Sequence, residues 1–211
     1  MPATLTVLAM PTRASVGRIA IVAAALALAA CINSPPPAPV EFDFGPGTAT
    51  LEEPPRLARE LTVANATAPS WLDSPALVYR LAYRDASQPR SYAESRWVAP
   101  PAALFTAQLR QRLAATTRRG VLAPDDGVRT GATLRVELAE FSQVFDAPER
   151  SRALVRVRAV IVTDGRLVAQ TAFAVDRPAP SADAAGGARA LALAADAAID
   201  RLIAWTADTL K

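Results

Sequence analysis

The sequence predicts an α+β domain, with a mainly antiparallel sheet of about six strands and two helices packed on one face. The stretch from Thr133 to Val175 contains segments in which apolar and polar residues alternate, which is typical of half-buried strands. Asp164-Gly165 interrupts this stretch, and such a dipeptide favours a tight hairpin. Two other segments repeat apolar residues at three- and four-residue steps, which indicates amphipathic helices.

The alternating segments predict three consecutive antiparallel strands. The first runs over 133–144, the second includes Val155 to Ile161, and the third runs from Leu167 to Val175. Three shorter strands are expected earlier in the chain, around Leu61, over 76–83 and over 91–98.

The first helix is expected to begin at Pro100 and Pro101, since proline suits the first turn, and to end near Gly120. Its apolar residues Phe105, Leu109 and Leu113 recur every four positions. The second helix carries a stripe from Leu191 to Trp205, and the small-residue segment 178–187 before it is expected to be a loop.

The N-terminal segment has the order of a secretory signal, with basic residues, then about a dozen apolar residues, then small residues ending at Cys31. A membrane-spanning helix needs about 20 apolar residues, so this run is too short for a good anchor. Leu28-Ala29-Ala30-Cys31 resembles a bacterial lipobox, which predicts a signal peptide over 1–30 and lipid on the Cys31 thiol. The alternatives are an ordinary signal peptide with an incidental cysteine, or a short apolar anchor.

The residue after the cysteine is Ile32 rather than Asp, which favours the periplasmic side of the outer membrane over the inner membrane. Translation from Met10 instead of Met1 would give a more typical leader length. Residues 31–56 are rich in proline and are interpreted as a lipid-anchored, semi-rigid spacer, with a docking motif for a proline-reading domain as the alternative. The folded domain is expected over 57–211.

The composition argues against several classes of function. The chain has no His and one Cys, so the usual general base and Cys/His metal sites are missing, and no glycine-rich phosphate loop occurs. From Cys31 onward it carries 21 basic and 20 acidic residues, a balance unlike that of a nucleic-acid binder. We therefore predict a non-enzymatic protein without catalytic, cofactor or metal site and without a nucleic-acid partner.

Two segments resemble the ABC-type transport auxiliary lipoproteins. They are Ala68-Pro-Ser-Trp-Leu-Asp-Ser-Pro-Ala-Leu-Val-Tyr-Arg80 and Tyr92-Ala-Glu-Ser-Arg-Trp-Val-Ala-Pro-Pro101, and the helix with Leu104 to Leu113 follows them. The resemblance covers about residues 57–208 in order and spacing. It implies a non-catalytic accessory that docks on the substrate-binding protein, of the mammalian-cell-entry type, of a transporter for lipids or other hydrophobic molecules.

The candidate partner contacts are therefore motif residues: Trp71, Leu72, Asp73, Arg80 and Trp97. A structural interpretation competes with this one, because aromatic residues such as Trp71 and Trp97 more often pack in a core, and Arg80 suits an ion pair. Alternative functions are a structural or assembly lipoprotein of the envelope without a linked transporter, and an envelope hydrolase. Assembly into a homo-oligomer is left open.

Changing Cys31→Ala should abolish lipid attachment and leave an uncleaved precursor, because the chain has no other thiol. Incorporation of radiolabelled palmitate in whole cells measures this. Labelling of the alanine variant at the wild-type level would contradict the lipoprotein prediction.

Overall fold

The computed structural model describes residues 38–47, 57, 59–117, 119–128 and 130–211. The predicted signal peptide and Cys31 lie outside these residues, as does most of the predicted spacer. The elements in chain order are β1 Val40–Phe42, β2 Leu61–Val63, β3 Ala76–Leu81, β4 Asp85–Trp97, α1 Pro101–Ala114, β5 Val121–Leu122, β6 Ala132–Ala147, β7 Arg150–Thr163, β8 Arg166–Pro178 and α2 Ala184–Thr209.

The α+β class is confirmed, but over the described residues the sheet is mixed and has eight strands rather than about six. The long pairs β3·β4, β6·β7 and β7·β8 are antiparallel, whereas β1·β4, β2·β5, β2·β6 and β3·β6 are short parallel pairs. Two strands were missed because β1 has 3 residues and β5 has 2, too few to show a period. The parallel pairs were not predicted, because the alternation of apolar and polar residues does not indicate whether two strands pair parallel or antiparallel.

Strand β6 joins the parts of the sheet. One edge pairs with β7 along almost its whole length. The other edge pairs with two strands in succession, with β2 at Thr133 and Leu134 and with β3 from Gln143 to Phe145. The β7–β8 hairpin turns at Asp164 and Gly165, whose φ angles of 50° and 76° fit the tight turn predicted for them.

Both helices cover the same face of the sheet. Helix α2 packs on β6, β7 and β8, and α1 lies beside it against β5 and β6. In β7 the odd-numbered residues from Ala153 to Ile161 are buried under the helices, while Arg156 and Arg158 are exposed on the opposite face. The alternation predicted for these strands therefore matches the burial.

The helix boundaries differ from the expected ones. Helix α1 has Pro101 in its first turn, as predicted, but ends at Ala114 rather than near Gly120. Helix α2 begins at Ala184, so the glycine pair lies in its first turn and not in a loop. The Asp183 carboxylate caps this helix by accepting the Gly186 amide at 2.7 Å, and that bond holds the pKa of Asp183 below its usual value.

Residues 39–47 of the predicted spacer belong to the folded unit, which extends over Pro39–Lys211. Strand β1 pairs with the end of β4, and Phe44 is buried. The Phe44 ring lies 5.3 Å from the rings of both Trp97 and Phe141. The strand was not predicted, because prolines dominate the composition of this segment. Val40 and Phe42 nevertheless lie in β1, and Phe44 makes the contact with the core.

Changing Gly187→Ala should destabilise the domain by about 1–3 kcal/mol, the usual cost of overpacking a core. A methyl group there would overlap the Gln143 side-chain oxygen. Gln143 is fully buried and bonded to the Tyr92 hydroxyl at 2.9 Å and the Ser151 hydroxyl at 2.8 Å, so it cannot easily move.

The measurement is the urea midpoint of the purified domain, with Gly131→Ala as the control, since a methyl group at Gly131 meets nothing within 4 Å. Equal midpoints for the two variants would contradict the packing argument.

Candidate partner-binding surface

The loop before β3 holds the motif tryptophan in a fixed place. The Pro69 carbonyl accepts the amides of Leu72 at 2.8 Å and Asp73 at 3.1 Å, which closes a turn. The Leu72 side chain is 1% exposed and anchors this turn in the core. Trp71 is half-buried and packs against the same core, so part of its indole faces solvent.

Arg80 lies over the ring of this tryptophan. Its guanidinium carbon is 4.8 Å from the centre of the Trp71 ring, within the range of a cation–π contact. Its terminal nitrogen also donates to the carbonyls of Ala86 at 3.1 Å and Ser87 at 3.4 Å. Arg80 therefore joins the loop before β3 to the start of β4.

Glu140 of β6 completes the arrangement. It forms an ion pair with Arg80, with an N–O distance of 3.1 Å, and the two side chains are 15% and 10% exposed. Because both charges are largely removed from water, each needs the other to offset the loss of hydration. The pair fixes the Arg80 guanidinium against the indole.

The structure separates the five predicted contact residues into two groups. Trp97 and Leu72 are both 1% exposed and belong to the core, so they cannot contact a partner without unfolding, which corrects that prediction. Trp71 is half-buried, the Arg80 side chain is 15% exposed, and Asp73 is exposed. We call Trp71, Asp73 and Arg80 the 71–80 surface. The ion pair considered for Arg80 is confirmed, with Glu140 as its partner.

Glu140 was missed by the sequence analysis, although β6 contains a signal for it. The buried residues Leu134, Val136 and Leu138 occupy even positions, but the next buried aromatic is Phe141. The buried positions thus change from even to odd, which marks a bulge. The register with β7 does shift between Leu138 and Glu140. The bulge turns Glu140 to the face where Arg80 lies.

A second buried group lies around Gln143, on the side of β6 that faces α2. Tyr79 and Tyr92 contact each other with ring centroids 4.7 Å apart, and the Tyr92 hydroxyl donates to Gln143. Burial, with smaller contributions from Tyr79 and Asp183, raises the pKa of Tyr92 to about 12. The Tyr92 phenol therefore stays protonated near neutral pH and acts there as the hydrogen-bond donor to Gln143.

The 71–80 surface offers to solvent part of the Trp71 indole and the Asp73 carboxylate, beside an Arg80 side chain that is 15% exposed. These groups can contact another protein but do not form a set that transfers protons or groups. Among the described residues, no group of three or more side chains could hold a metal ion, and no helix is long and apolar enough to cross a membrane.

Residues 44–203 match the family model of the ABC-type transport auxiliary lipoprotein component. The chain belongs to this family. The match confirms the resemblance seen in the two motif segments, and it includes the whole 71–80 surface. The comparison with curated proteins finds no match.

Solved structures share the fold. One is protein XCC0632 from Xanthomonas campestris, of family DUF330, with 22% identity, a TM-score of 0.68, and coverage of 82% of this chain and 94% of that one. Another is an uncharacterized protein with 14% identity and a TM-score of 0.59, matched over 80% of this chain and 99% of its own. At these identities the likeness establishes the fold alone.

Changing Arg80→Ala should destabilise the domain by about 3–5 kcal/mol, because it leaves the Glu140 carboxylate buried without its partner. The matched control is Arg96→Ala. Arg96 pairs with Glu41 at 2.6 Å, but both side chains are about half exposed, at 49% and 47%, so that loss should stay below about 1 kcal/mol. Urea unfolding compares the two variants, and a smaller effect at Arg80 than at Arg96 would contradict the role given to the buried pair.

Proposed function

We propose that this chain is a lipid-anchored periplasmic lipoprotein that serves as a non-catalytic docking component of an ABC-type transport system of the mammalian-cell-entry type. The transporter would move lipids or other hydrophobic molecules across the cell envelope. The observation that carries the proposal is the family match over residues 44–203. The 71–80 surface supplies a site where such docking could occur.

The anchor in this proposal is lipid on Cys31. The folded unit begins at Pro39, so residues 31–38 separate it from the membrane. Fully extended, that stretch spans at most roughly 30 Å. The domain would therefore stay near the bilayer, on the periplasmic side of the outer membrane as Ile32 favours, and would reach only partners that approach that surface.

The docking partner we propose is the periplasmic substrate-binding protein of the cell-entry type. A partner surface must lose water on contact, and tryptophan and arginine are the residues most enriched where that loss stabilises a complex. Trp71 is fixed by its loop and by Arg80 before binding, so little side-chain entropy remains to be lost. The competing function is an envelope assembly lipoprotein without a linked transporter.

Changing Trp71→Ala should strongly reduce co-purification with the cell-entry-type protein from crosslinked membranes, while the melting temperature falls by only several degrees. The matched control is Trp205→Ala, because Trp205 of α2 is also half-buried against the core but lies outside the 71–80 surface. Both variants should show a similar fall in melting temperature, and only Trp71→Ala should lose co-purification with the partner.

Three outcomes oppose the proposal. Undiminished binding by a stable Trp71→Ala variant would remove the 71–80 surface from the interface, and equal loss in both variants would reduce the effect to stability. Capture of envelope assembly proteins without any transporter subunit would favour the competing function.

A further inference from the structure

The last strand of the sheet, β8, lies at an edge of the part of the sheet that the structure describes. Within the described residues β8 pairs with β7 alone, so its other edge faces no described strand. β8 has 13 residues, and its segment from Leu167 to Val175 contains no charged residue and no proline. Native proteins usually place charged residues or proline on a strand edge of this length, which prevents it from pairing with another chain. A bulge at Val168, where the register with β7 shifts, protects only the hairpin end.

The backbone groups on this edge can be assigned. The Ala179 amide donates to the Ser151 carbonyl at 2.9 Å, in register with the β7–β8 ladder. Because residues of an antiparallel ladder alternate in the direction of their hydrogen bonds, the odd-numbered residues of β8 from Ala169 onward bond to β7. The even-numbered residues Gln170, Ala172, Ala174 and Asp176 therefore direct their amides and carbonyls outward.

We propose that β8 pairs antiparallel with β8 of a second copy of this chain, around a two-fold axis at Phe173. This register lies beyond the bulge and places every outward-facing residue opposite another one, Gln170 opposite Asp176 and Ala172 opposite Ala174. Antiparallel pairing then satisfies the outward amides and carbonyls of Gln170, Ala172 and Ala174 in both strands, while the Asp176 carbonyl already accepts the Arg177 guanidinium at 3.1 Å.

Side-chain complementarity favours a second copy as the occupant. The Gln170 amide can donate to the Asp176 carboxylate of the other strand, and no like charges stand opposite each other. Thr171 stands opposite Val175, and the two Phe173 residues meet at the axis, pairings that stabilise cross-strand contacts. The Arg201 guanidinium, 4.4 Å from the Phe173 ring centre, already covers that ring on the helix side.

This interface goes beyond the proposed function and is compatible with it. Two-fold pairing is self-complementary and closes at two copies. In the sheet, β6 and β7 separate β8 from β3, which carries Arg80. The 71–80 surface therefore stays free for another partner in the dimer.

The test is crosslinking of the full chain in isolated cell envelopes. In the proposed pair two Ala174 residues are diagonal neighbours, about 7–8 Å apart, within reach of a short bis-maleimide. Ala174→Cys should give a crosslinked dimer. The control is Ala107→Cys, an exposed alanine on α1, which should give little or none. The wild-type chain controls for Cys31, its only native thiol.

A second variant tests the strand pairing itself. Ala172→Pro removes an amide that faces outward and not toward β7, so the domain should fold while the edge loses a donor. Adding this change to Ala174→Cys should lower the crosslinked yield at least tenfold at unchanged protein level. If the proline variant does not accumulate, Ala174→Lys is tested for the same loss of dimer by size-exclusion chromatography in detergent.

Several results would overturn the proposal. They are no dimer from Ala174→Cys, an equal yield from Ala107→Cys, or an adduct with a different protein in place of the dimer. A crosslinked yield unchanged by Ala172→Pro would also overturn it, as would a dimer retained by Ala174→Lys where that variant is the one tested. None of these results depends on the identity of the transporter, so the dimer and the docking function can fail separately.

Discussion

Strand β6 is the constraint on which the rest of the structure depends. Its edge toward β7 is paired along almost its full length, and its other edge is divided between β2 and β3. Its buried residues on the helix side lie beneath α2, where Gln143 meets Gly187. A shift of β6 by one residue would turn its core side chains to the opposite face, so its register fixes both halves of the sheet.

The bulge in β6 links this scaffold to the candidate function. Without the extra residue after Leu138, alternation would keep Glu140 on the face of the core. With it, Glu140 meets Arg80, and Arg80 in turn lies against Trp71. The 71–80 surface is thus held by a buried charge pair rather than by the loop alone, which gives its half-buried indole a defined position.

The sequence could predict the long elements because each repeats its pattern over many residues. Strands β6 to β8, the Asp164-Gly165 turn and the stripes of both helices follow from periodicity and turn chemistry. It could not predict β1 or β5, which are too short, nor the parallel pairs, which depend on contacts distant in the chain. For the candidate site it identified Trp71, Asp73 and Arg80, but it could not tell exposed from buried motif residues, so Leu72 and Trp97 were included.

In the function proposed for this chain, the 71–80 surface meets a transporter subunit. The most direct measurement places a photoreactive phenylalanine analogue at Asp73, which is exposed on that surface, and irradiates living cells. Asp125, exposed in the turn after β5, is the control position. The account predicts an adduct with a cell-entry-type substrate-binding protein at position 73 and none at 125. Equal adducts at both positions, or adducts at 73 only with envelope assembly proteins, would contradict it.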